Sequence, residues 1–156
     1  MAPSKPTNTK PYTLTGEPMN YVFESGAVVY RWSTAIERIE VIRGRMSISV
    51  LETLSELLNV PVKDVLALIG MPQTTYNKRK KENALIDVRD TEWVIELNEL
   101  IAFGSDCFGD DGTFLRWLNK PNASIGMRVP YDLLDTHTGI REVMGALERL
   151  AYGNLS

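Results

Sequence analysis

His137 is the single histidine of the sequence and Cys107 the single cysteine, so they are the first residues to test for acid–base or nucleophilic chemistry. A histidine acting as general base needs an acid and a nucleophile beside it. Asp135 is separated from His137 by one residue, and no G-x-S-x-G, Walker or dinucleotide fingerprint accompanies the pair. His137 therefore reads as a surface or interface residue, and Cys107, set between Phe103 and Phe108, as a buried small hydrophobe. A lone cysteine also builds neither an intrachain disulfide nor a cysteine-rich zinc site. Asp106, Asp110 and Asp111 have the side-chain type for calcium, but they lack the one-three-five ligand spacing, the central glycine and the closing glutamate of an EF-hand loop. Asp110 or Asp111 is expected to cap a helix instead. The sequence thus argues for no metal, no cofactor and no enzyme.

The residues with a second kind of chemistry lie at 73–81, in the stretch QTTYNKRKK. Gln73, Thr74, Thr75 and Asn77 are short polar side chains of the kind that reach base edges, Gln and Asn being able to bond adenine bidentately in the major groove. Lys78, Arg79, Lys80 and Lys81 follow as cations for phosphates, each contact releasing counterions. The plain alternative is a solvated helix end, where cations favour the helix dipole.

Presenting such a helix requires a partner helix and a tight turn, and both are legible. Ser33 or Thr34 caps a first segment with Ala35, Ile39 and Ile42 on one face, ending at Gly44. Ser47 or Ser49 starts a second, with Val50, Leu51, Leu54, Leu57 and Leu58 in helical register and Asn59 at its end. Pro61 sits in the first turn of a third, which carries Val62, Val65, Leu66 and Ile69. Gly70-Met71-Pro72 then separates it from the basic segment. Two short helices about a glycine turn, the second polar and basic, form the pattern of a helix-turn-helix. Charge agrees with this placement. Residues 1–81 carry 11 Lys/Arg against 7 Asp/Glu, whereas residues 82–156 carry 6 against 13.

The flanks differ in character. Residues 1–20 hold four of the eight prolines and read as an extended or disordered tail. Tyr21-Val22-Phe23 and Ala27-Val28-Val29-Tyr30 are strand-like runs split by Ser25-Gly26, and so short a pair needs the helical body or a partner to lie on. Beyond Asn83, Asp90 is a natural cap for a long helix bearing Trp93, Leu97, Leu100 and Ile101, with Glu92, Glu96 and Glu99 on its outer face. A break or helix end is expected at Gly104–Cys107. A short helix then carries Phe114, Leu115, Trp117 and Leu118 to the core. After a stretch broken by Pro121, Gly126 and Pro130, Thr136 or Thr138 caps a last helix with Ile140, Val143, Met144, Leu147, Leu150 and Ala151 on one face. Gly153 closes it in the left-handed conformation.

Two of these stretches resemble a known family. From Trp117 to Gly153 the sequence reads W-L-x-x-P-N, then P-x-x-L-L-x-T-x-x-G-x-x-x-V-x-x-x-L-x-R-x-x-Y-G, and it resembles the toxin-binding domain of the Xre/MbcA/ParS antitoxins. Leu68 to Thr75, L-I-G-M-P-x-x-T, with the basic run after it, is similar to the Xre-like helix-turn-helix of the same family. The likeness spans roughly residues 36–156. It implies an all-α fold, with an Xre-like helix-turn-helix over 31–84 and a helical toxin-binding domain over 85–156; residues 1–30 lie outside the likeness and are expected to form an extended or disordered N-terminal segment.

The function implied is that of an antitoxin that binds and silences a RES-type toxin acting on NAD. Operator DNA is the second expected partner, for repression of its own operon, and a homodimer the expected form, since a helix-turn-helix reads paired half-sites and apolar residues on the Trp93–Ile101 helix, with Trp117, exceed what one small core needs. Arg141, Glu148, Arg149, Tyr152 and Gly153 are the expected toxin contacts. Asn154, Leu155 and Ser156 follow as a short polar end that either plugs a cationic catalytic cleft or frays in solvent. Without an apolar run near 18 residues or a secretory core in MAPSKPTNTK, the cytoplasm is the expected place and no membrane the expected partner. The rival reading is a stand-alone helix-turn-helix regulator whose C-terminal helices dimerise it. A third is that the DNA-reading half only assembles dimers.

Overall fold

The computed structural model describes residues 20–153, and the N-terminal stretch read above as a tail lies outside them but for Asn20. Strands β1 (Tyr21–Ser25) and β2 (Val28–Trp32) pair antiparallel from Tyr21↔Trp32 to Ser25↔Val28. Their stability comes from what they cover. Phe23 is fully buried in the core shared with the helices, a burial worth about 2 to 3 kcal/mol. Tyr21 and Trp32 stack at 5.5 Å across the pair. Ser25 bonds Ser49 at 2.9 Å and accepts from Thr53 at 3.1 Å, tying the hairpin to the second helix. The helical body supplies the support that so small a sheet requires.

Seven α-helices follow among the described residues, so the fold is mostly α, as the periodicity leads one to expect: α1 (Ala35–Gly44), α2 (Val50–Leu58), α3 (Val62–Ile69), α4 (Gln73–Glu82), α5 (Val88–Phe108), α6 (Asp111–Leu118) and α7 (His137–Tyr152). Thr34, Asp110 and Thr136 cap their helices by accepting from Glu37, Thr113 and Gly139 backbone N–H groups. Two 3-10 turns, Ala123–Ile125 and Pro130–Leu133, bridge α6 and α7. The long helix α5 is the spine. It packs on α1 and α2 on one side and α6 and α7 on the other, and its buried residues belong to one continuous core that also takes in the hairpin.

Several expectations are corrected. The cap of α5 is Asp87, not Asp90: Asp87 has extended backbone angles and accepts from the Asp90 N–H at 2.7 Å, leaving Asp90 inside the first turn. The acid face of α5 is not an outer face. Glu99 takes hydrogen bonds from Trp32 and Arg38, and Glu96 meets His137, because hairpin, α1 and α7 close over that side. No break falls at Gly104. The helix runs through it, since the Phe114 ring lies against its backbone and a Cβ there would come within 2.4 Å of that ring. Of the α1 face only Ile42 is buried; Ile39 is exposed, and so is Ala35. Pro61 stands one step before α3 in the cap position, and Gly153 keeps right-handed angles at φ −65°. Trp93, Leu97, Leu100 and Ile101 are all buried within one chain, so that helix leaves no apolar excess to argue for a dimer.

Candidate interaction surfaces

Helix α4 is held by a few fixed points. Tyr76 is its one buried residue, and its hydroxyl donates to Glu52 on α2 at 2.9 Å. Lys80, one turn on, forms an ion pair with the same Glu52 oxygen. The Lys80 hydrogen bond is the main reason the Glu52 carboxyl is held below its usual range; burial opposes it and Tyr76 adds to it. Burial and, after it, the nearby Glu52 push the Tyr76 phenol up. On the other flank Arg79 is half-buried and lines a recess with Thr75, Asp87 and Asp90. Burial, then the Asp87 charge, raises the Asp90 carboxyl, while Arg79 and Arg89 pull it down.

What remains outward is a stripe. Gln73, Thr74, Asn77, Lys78 and Lys81 are exposed at offsets 0, 1, 4, 5 and 8, which share one helical face. Gln73 donates its amide to Asn77 at 3.0 Å, so the two candidate base readers are already aligned along that face. Thr75 and Arg79 turn toward α5, and Lys80 toward α2. The turn Gly70-Met71-Pro72 sets α3 before α4, Met71 N–H closing on the Leu66 carbonyl at 3.0 Å. Segment 46–48 pairs with 84–86 behind this unit, Ile48 donating to Ala84 and Ile86 to Met46.

The second surface is built on α7. Trp93 on α5 donates its indole N–H to the Leu134 carbonyl at 2.7 Å, anchoring the segment that leads into the helix. His137 Nδ1 lies 2.7 Å from Glu96, fixing the first turn. Gly139 lies where a Cβ would sit 1.7 Å from the Leu133 carbonyl, so the 3-10 turn and the helix approach too closely for any side chain. Ile140, Val143, Ala146 and Leu147 then face the core. Arg141, Glu148, Arg149 and Tyr152 all fall on one exposed face, spanning about 16 Å along the axis. Arg149 lies over Gly145, and the Tyr152 ring stands 6.4 Å from Phe103. Gly153 ends the described chain, and Asn154, Leu155 and Ser156 lie outside the described residues.

Leu150, counted above with the apolar face, is 43% exposed. The sequence signal for that was faint: the apolar stripe is simply broader at its C-terminal end than one core needs. Between the two surfaces, a recess of ≈ 160 Å³ is walled by Leu68, Ile69 and Trp93 and edged by Asp90, Asp135 and His137. Among the described residues no group of three or more His, Cys, Asp or Glu is arranged to hold a metal ion, and no helix is long and apolar enough to cross a membrane.

A helical protein that presents a charged helix face in its last third and a basic helix in its first half is the class these surfaces define. Residues 104–153 match the family model described as the antitoxin Xre/MbcA/ParS C-terminal toxin-binding domain. The chain is 25% identical over 119 residues to an antitoxin Xre of Yersinia enterocolitica, covering 76% of this chain and 80% of that one. It is 28% identical over 134 residues to a Prs ADP-ribosylating antitoxin of a Sphingobium species, covering 80% and 84%. An antitoxin Xre of Photorhabdus laumondii is 23% identical over 94 residues, covering 60% and 64%. Residues 104–153 thus match the toxin-binding domain of the Xre/MbcA/ParS antitoxins, and over most of its length the chain is similar to curated antitoxins.

Proposed function

We propose that this antitoxin binds a RES-type toxin, an enzyme acting on NAD, and silences it by holding substrate out of the active site. The observation that carries the reading is the single exposed stripe of Arg141, Glu148, Arg149 and Tyr152 on α7, inside the segment matched as a toxin-binding domain. A toxin that handles NAD must bind phosphates, so its cleft is expected to be cationic, and the Glu148 carboxylate is complementary in charge to such a cleft. The Sphingobium relative's name carries ADP-ribosylation, a reaction that consumes NAD, which supports the same toxin chemistry. Occlusion asks no chemistry of the antitoxin. Co-expression in the cytoplasm with the toxin encoded beside it tests this: the pair should co-purify and growth should be rescued, whereas an unbound, uninhibited toxin would sink the reading.

The same chain is proposed to bind its own operator as a homodimer and repress its operon. The α4 stripe Gln73, Thr74, Asn77, Lys78 and Lys81 supports it, with Thr75, Arg79 and Lys80 as flanking contacts. Pairing would draw on exposed Val28, Val29, Ile36 and Ile39 on β2 and α1, which are the apolar side chains left uncovered in that part of the described fold. The α4 stripe equally favours a stand-alone regulator. Operator binding with no co-purifying toxin would select that alternative.

A further inference from the structure

Met127 combines two unfavourable features. Among the described residues it is one of four non-glycine residues at positive φ, at +62°, directly after Gly126 at +71°. Two of the others are Asn59 and Asn83, whose short polar side chains tolerate that region. The remaining one, Arg45, spends its side chain on hydrogen bonds to the Leu85 and Ile86 carbonyls. Met127 has no such compensation: its unbranched apolar side chain is 63% exposed, the highest value among the large exposed hydrophobics outside α1. Glycine or asparagine would remove both costs at once. A strained residue that also holds an apolar side chain in water points to a contact made outside the chain.

The loop that carries it is stiff. Asn122 N–H donates to the Arg128 carbonyl at 2.9 Å, Met127 N–H donates to the Asn122 carbonyl at 2.8 Å, and the Asn122 side chain accepts from Ser124 N–H at 2.8 Å. The loop also packs on α7. Its charge is distinctive. From Gly112 to Tyr131 the sequence holds Arg116, Lys120 and Arg128 and no acid, inside a half that carries 6 basic and 13 acidic residues. Lys120 and Arg128 are exposed, Lys120 two residues before Asn122 and Arg128 as its partner in the Asn122–Arg128 bridge, and neither has an ion-pair partner among the described residues.

We propose that Met127, flanked by Lys120 and Arg128, is a docking anchor for the toxin, seated in an apolar recess of an acidic toxin surface apart from the contacts of the α7 stripe. The inference rests on the antitoxin reading and adds a contact to it. A rigid loop loses little freedom on binding, so a projecting Met held in advance is well suited to anchor a complex. The two cations fix orientation and speed encounter with an acidic patch.

The test uses the full chain and a catalytically inactive form of the toxin encoded beside it. Met127→Gly and Met127→Asn both accept positive φ, so both should melt no lower than the parent while binding the toxin at least ten-fold more weakly. Lys120→Glu with Arg128→Glu should slow association and flatten its salt dependence. In the parent complex, amide exchange at 122–128 should slow on toxin binding. Affinity within two-fold of the parent for both Met127 variants, or exchange in the loop unchanged by toxin, overturns the proposal. So does a loss confined to DNA binding. A parent chain that binds no toxin brings down the antitoxin reading itself, an outcome distinct from a parent that binds while the variants bind as well.

Discussion

Arg45 donates its Nε–H to the Ile86 carbonyl at 2.7 Å while its own backbone sits at φ 62°, ψ 152°, a region glycine occupies almost alone. The second guanidinium nitrogen reaches the Leu85 carbonyl at 3.1 Å. The end of α1 is thereby clasped to the linker between α4 and α5, and the hydrogen bonds offset the strain. Removing the side chain without relieving the backbone should cost more than removing both. Arg45→Ala is expected to lose about 2 kcal/mol and Arg45→Gly about 1 kcal/mol. Urea unfolding that ranks Gly at or below Ala would show that the conformation is not strained.

Gly104 tests the spine in the same spirit. In an exposed helix interior Gly→Ala gains up to about 1 kcal/mol, but here the new methyl would meet the Phe114 ring at 2.4 Å. Overpacking should prevail, with a net loss of about 1 to 3 kcal/mol. A stabilised Gly104→Ala protein would mean that α6 does not lie on α5 as described.

These two residues also mark what sequence patterning can and cannot convey. The helices, the Thr34, Asp110 and Thr136 caps and the turn before α4 follow from local chemistry, and each is legible in a few neighbouring residues. Gly104 looked like a helix end because a glycine that admits a distant ring is written the same way as one that ends a helix. The acid row Glu92, Glu96 and Glu99 looked solvated because its partners, Arg38, Trp32 and His137, lie some 40 to 70 residues away. Against the pull of burial, Glu99 with Glu96 and Glu92 raises the Arg38 guanidinium further. The candidate DNA residues were legible as a set, but not their division into an outward stripe and two flanks, which depends on Glu52 and Asp90.

Glu52 bears directly on that division. Its carboxyl is depressed in the folded chain, chiefly by Lys80, so it contributes stability at pH values above its unfolded value that is lost as pH falls through the folded one. The group is 38% exposed, and screening limits the contribution to about 0.5 kcal/mol. Glu52→Gln should therefore erase a small part of the acid sensitivity of unfolding. Its larger effect should be on nucleic acid. With Lys80 released for phosphate, the slope of log affinity against log salt should steepen by about one unit and low-salt affinity should rise. Gel shifts in which Glu52→Gln behaves as the parent would place Lys80 away from the DNA.

On the proposed reading, silencing of a toxin can be divided between a helix face and the residues beyond it. Arg149 lies flat over Gly145, on the stripe with Arg141, Glu148 and Tyr152, and reversing its charge leaves the buried side of α7 intact. Arg149→Glu should keep the parent melting temperature and bind toxin at least ten-fold more weakly, equal to about 1.4 kcal/mol. Deleting Asn154 to Ser156 should have a different signature if those residues fill the catalytic entrance: a complex that still assembles, but a toxin that regains turnover within it. Measuring complex formation and NAD consumption on the same samples separates the two. If the truncated chain both binds and inhibits as the parent does, while Arg149→Glu fails at both, occlusion belongs to the helix face alone.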